Sequence, residues 1–173
     1  MLIDSCINDA KAQNMKGVAV VTRNGSFMAD KRIFVKRGFE EVDKAQPDFE
    51  LMALKFSTET ASPRFKSEVF EDMSDYREGL TIIRSFQCPY TDKNVNSILV
   101  SALTKFNLKT HLVNVQTAES AQNVPCAFGT FCIIYNGEII SHHPISNTRF
   151  MDIMTKILNK DEEPEEVNEP VIV

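Results

Sequence analysis

Leu2, Ile3, Cys6, Ile7 and Ala10 recur at a spacing that places them on one face of a helix, which Gly17 is positioned to end. Val18-Ala19-Val20-Val21 follows as an unbroken apolar run, the pattern of a strand buried on both faces. After the turn residues Arg23-Asn24-Gly25-Ser26, the spacing predicts a second helix over 27–37, with Ile33 and Phe34 inward and Gly38 as its stop. Residues 39–42 and 49–56 alternate apolar and polar as strands do. Residues 57–63 have linker composition, so a domain boundary is expected there, with a bridging strand over 64–70.

The pattern then restarts. A strand over 80–86 runs into Gln87-Cys88-Pro89-Tyr90-Thr91 and a helix over 92–106, whose inner face is read as Ile98, Leu99, Ala102, Leu103 and Phe106. Another strand covers 111–115, and a polar stretch leads to Val124-Pro125. Strands over 130–135 and 138–141 flank Asn136-Gly137, a strong short hairpin signal. Asn147 caps a closing helix through Leu158. The expected fold class is α/β with mixed sheets (α+β). Its units are 1–56, a connecting stretch 57–78, a second unit 79–158, and a tail 159–173 expected to be disordered.

Charge sharpens this division. The net charge of −5 resides in the tail: residues 161–173 hold six acidic side chains and no basic one. The rest is balanced, which gives no electrostatic footprint for nucleic acid. No apolar run is long enough to span a membrane, and no basic, apolar leader opens the chain. The four cysteines, Cys6, Cys88, Cys126 and Cys132, are too few for a disulfide scaffold and are expected to be cytoplasmic thiols. His142 and His143 are adjacent, so on a strand they would point to opposite faces, and no metal is assigned.

Cys88 carries the clearest chemistry. A thiol between a strand and a helix start meets unpaired N–H groups and the positive end of the helix dipole, which favour thiolate. Pro89 suits the first turn, and Thr91 occupies the place of a resolving cysteine. The alternative is a cysteine that acts only as a small apolar residue, the reading given to Cys6 and Cys132.

Cys88-Pro89-Tyr90-Thr91 resembles the glutaredoxin motif in its one-cysteine form. With Val124-Pro125 and the hairpin, residues 79–158 resemble the thioredoxin-like superfamily. That resemblance implies a cis-proline at Pro125 and brings Cys126 near Cys88, so that the two are the candidate catalytic thiols of a redox or partner-binding module. Residues 1–56, through Lys36-Arg37-Gly38-Phe39-Glu40 and Gln46-Pro47-Asp48-Phe49, resemble the later half of the GNAT acyltransferase fold. Together the two halves resemble the YoaP-like acetyltransferases. The resemblance implies acyl transfer from acetyl-CoA to an amine, with the pyrophosphate held by a glycine-containing loop just before Leu2. With the helix opening at Leu2, that loop and the strands before it are expected to be missing. Phe34 stands where many GNAT enzymes place a tyrosine acid, and Ser26, near the place of a helix asparagine, is the candidate cofactor contact or else a cap of that helix. The expectation is therefore an N-terminally truncated transferase, inactive alone, that self-associates or pairs with its missing half.

Overall fold

The computed structural model describes residues 2–25, 27–66 and 73–162, with side chains through Asn159. Helix α1 (Leu2–Ala12) lies on a three-stranded sheet of β1 (Gly17–Arg23), β2 (Glu40–Ala45) and β3 (Phe49–Lys55), with a short helix α2 (Arg32–Val35) between β1 and β2. The strand order is β1-β3-β2 and both pairings are antiparallel. Ile3 and Ile7 pack on Val18, Val20, Leu54 and the buried Phe34, Phe39 and Met52. The apolar face of α1 is narrower than its spacing predicts, because Leu2 and Cys6 are exposed. Strand β1 is likewise not buried on both sides: Ala19 faces solvent while Val18 and Val20 are partly covered.

The helix predicted over 27–37 shrinks to a single turn. Phe27 has a positive φ of 72°, which no helix accommodates, and the Asp30 carboxylate accepts the Arg32 N–H at 2.8 Å, starting the turn there. Phe34 is inward, as expected, but Ile33 is exposed. Gly38 does end the turn, with φ 81° and its N–H on the Val35 carbonyl.

The second unit contains β4 (Leu80–Ser85), α3 (Pro89–Phe106), β5 (Thr110–Val115), α4 (Ala118–Gln122), β6 (Phe131–Tyr135), β7 (Glu138–Ser141) and α5 (Asn147–Glu162). Its sheet runs β5-β4-β6-β7, with β4 and β5 parallel and the other pairings antiparallel. Helices α3 and α5 cover one face, closing a core of Leu80, Ile82, Ile98, Ile133, Phe150 and Met154 among others. Thr91, Val95, Ile98, Ser101 and Ala102 are the buried residues of α3. Leu103 is exposed, contrary to expectation, since it sits about 100° round the helix from Ala102. The hairpin forms as predicted, with Asn136 and Gly137 both at positive φ (47° and 84°), the requirement of a type I′ turn.

Three further expectations are corrected. The polar stretch before Val124 contains α4, capped by reciprocal bonds between Thr117 and Ser120. Helix α5 runs on to Glu162, past the boundary expected at residue 159; the rest of the expected tail, residues 163–173, lies outside the described residues. Residues 64–66 form no strand, and 67–72 lie outside the described residues.

The opposite face of the first sheet docks against the second unit. Ala45, Phe49 and Ala127 are buried together there, with Val21, Met28, Phe65 and Phe128 around them. His142, just past β7, places its ring 5.9 Å from that of Phe49, and His143 places its ring 5.5 Å from Phe27.

Candidate functional site: two thiol centres

Cys88 occupies the N-cap position of α3 with extended backbone (φ −130°, ψ 118°), and Pro89 begins the helix. The Thr91 backbone N–H, the Thr91 hydroxyl and the Tyr90 backbone N–H all stabilise its thiolate and lower its pKa below that of an ordinary cysteine. The sulfur is exposed, as a nucleophile needs, and Thr91 is buried beneath it. Arg84 fixes the approach to this turn. Its guanidinium is buried, pairs with Asp92 of the first turn of α3, donates to Asn114 Oδ1 at 3.1 Å, and lies over the Phe86 ring. A cleft of about 230 Å³ opens at Cys88, walled by Phe27 from the first unit and by Tyr90, Thr91, Phe128 and Pro144 from the second.

Cys126 is in a different environment. It is buried, with Cys132, in the cluster on the sheet face away from α3 and α5, among Ile83, Val115, Val124 and Ile134. As a thiol, it donates toward the Phe131 carbonyl at 3.7 Å or the His142 carbonyl at 3.9 Å, and its sulfur lies 3.7 Å from His142 Nδ1. The Cys132 thiol hydrogen-bonds to it and, against the cost of burial and with help from His142 and the Phe128 N–H, lowers its pKa well below the ordinary value. Cys132 moves the opposite way, raised by the ionised neighbour and by its own burial. Tyr76, next to the same sulfur, is also raised, mainly by burial and then by Cys132.

The resemblance implied that Cys126 approaches Cys88; in the structure both are free thiols, Cys88 exposed and Cys126 buried, and Phe128 lines the clefts at both. The cis-proline implied at Pro125 is not present: the cis bond among the described residues is Gln46–Pro47. Cys132 is core, as read, but it is also a thiol partner. Ser26 lies outside the described residues. Phe34 is buried edge-on to Phe39, their centroids 5.5 Å apart. The residue missed altogether was His142, set aside because adjacent histidines on a strand point to opposite faces; each imidazole instead lies beside a ring of the first unit. Among the described residues no helix is long and apolar enough to cross a membrane.

Residues 110–151 match the model of a family described as YoaP-like. That stretch runs from β5 into α5 and takes in Cys126, Cys132 and His142, but not Cys88. Across 158 residues, 90% of its length, the chain is 32% identical to a Bacillus subtilis (strain 168) protein named "Uncharacterized N-acetyltransferase YoaP". The chain spans 62% of the length of that relative. No solved structure matches the chain.

Proposed function

Taking as premise a chain that is YoaP-like over residues 110–151 and similar to a named N-acetyltransferase through both of its sheets, we propose that it serves N-acetyl transfer from acetyl-CoA to an amine. In this reading the sheet of β1–β3 with α1 is the part of a GNAT-type fold that the chain contributes, and the βαβ–hairpin–helix unit is a thioredoxin-like module docked on it. The observation that carries the proposal is the similarity running unbroken through both units. The outer edge of β1, which pairs with no further strand among the described residues, is where further strands or a second copy would complete the sheet. Four unpaired thiols suit the cytoplasm.

The described residues do not by themselves fit the cofactor. Phe34 has no proton for a leaving thiolate. The helix that follows β1 has only four residues and offers no phosphate cradle. No step of acyl transfer is therefore assigned to a side chain of this chain. The test measures release of free CoA from acetyl-CoA with a panel of primary amines. It uses this chain alone and this chain mixed with the portion of the Bacillus relative outside the alignment. Amine-dependent release in either arrangement supports the proposal; none in both overturns it.

A second reading has its own observation, the exposed and acidified Cys88 at the mouth of a cleft. There the second unit would act as a thiol-dependent or partner-holding module. Partners retained by the Cys88→Ser chain would favour holding over thiol chemistry.

A further inference from the structure

From the placement of Cys126, Cys132 and His142 we infer that the chain carries a buried dithiol centre that forms a reversible Cys126–Cys132 disulfide, exchanging electrons with small acidic disulfides. The inference is independent of acetyl transfer and of Cys88.

Three observations carry it. First, the two cysteines are buried in one cluster, and the Cys126 sulfur lies 3.7 Å from the carbonyl of Phe131, the residue just before Cys132, so both side chains occupy the same part of the core. Second, an imidazole nitrogen lies 3.7 Å from the Cys126 sulfur, close enough to take its proton. Third, Cys126 is approached by a cleft of about 440 Å³ between the two units, whereas Cys132 is fully enclosed. Attack order follows from that access. Arg64 and Lys66 line the same cleft, and Lys66 is held by the Asn123 side chain at 2.7 Å. A basic mouth selects a disulfide bearing carboxylates. Two cysteines packed merely as apolar filling would need neither the imidazole nor the cleft.

The exchange balances as follows. Cys126 gives its proton to His142 and attacks one sulfur of RSSR, forming a mixed disulfide and expelling RS⁻, which takes that proton. Cys132 then loses its proton and attacks the Cys126 sulfur, expelling the second RS⁻, which is protonated in turn. Two protein thiols lose two electrons and two protons, and one RSSR becomes two RSH.

The experiment uses the full chain and oxidised glutathione. Trypsin cuts after Lys109 and Arg149, so Cys126 and Cys132 leave in one peptide, with Cys88 and Cys6 in others. The expected result is that peptide two hydrogens lighter and closed to alkylation, with the Cys88→Ser chain behaving alike and dithiothreitol reversing the change. In Cys132→Ser the expected product is a persistent glutathione adduct on Cys126. The inference is overturned if both cysteines of the unsubstituted chain stay alkylatable after oxidised glutathione, if Cys126 retains glutathione with Cys132 present, or if it cross-links to the Cys88 peptide. These wild-type readings decide the matter even if the Cys132 variant fails to fold.

Discussion

Thr91 acts on Cys88 through two atoms, its backbone N–H and its hydroxyl, and the Tyr90 N–H adds a third contact. A group with a lowered pKa is charged at and above that value and loses its charge, hence its nucleophilicity, as pH falls through it. Alkylation of Cys88 is therefore expected to reach half its maximal rate below about pH 8.5, the midpoint of a free cysteine. Thr91→Val removes the hydroxyl but leaves the N–H groups. Its midpoint should rise part of the way back, as read by iodoacetamide rates against pH; an unchanged midpoint would show the hydroxyl to be irrelevant. The position of Cys88 was legible because Pro89 marks a helix start one residue later. The partners of Cys126 were not, because a loop thiol, a strand thiol and a histidine beyond a hairpin meet only through the register of β6 with β4 and β7.

Elements with strong local signals formed where expected: the β3 alternation, the Asn136-Gly137 hairpin, and α3 behind its proline. Those governed by contacts distant in sequence did not. The turn at Phe27 depends on Phe27 reaching His143 in the second unit, so no window around residues 27–37 could reveal that the helix starts late. Helix α4 is closed by a Thr117–Ser120 box in which serine stands where glutamate or glutamine is the usual signal. At the start of β1, a Cβ placed on Gly17 would lie 2.6 Å from the Leu54 carbonyl oxygen, backbone against backbone. Gly17→Ala should force β1 away from β3 and cost about 1–3 kcal/mol. A urea midpoint equal to that of the parent chain would contradict this close approach.

At the scale of the molecule, the two units share a buried seam centred on Phe49, which is fully enclosed, stacked by Arg23 at 5.1 Å and neighboured by His142. Phe49→Ala should cost about 3–5 kcal/mol. Because the lost contacts join two separate cores, the urea transition should also split in two; a single transition displaced by under 1 kcal/mol would argue that the units are not coupled there. Composition and pattern foretold a mixed α/β fold but not the seam between its two sheets, since the members of that seam come from β1, β2, β3, the stretch after Pro63, the loop before β6 and the residues after β7.

Tyr76 packs against the buried cluster that holds Cys126 and Cys132, and the chain contains no tryptophan and only three tyrosines. Its near-ultraviolet emission is thus phenolic, with one of three emitters beside the buried sulfurs. The fold thus sets a phenol at the rim of the thiol cluster, where a change in the sulfurs is expected to register as a change in emission.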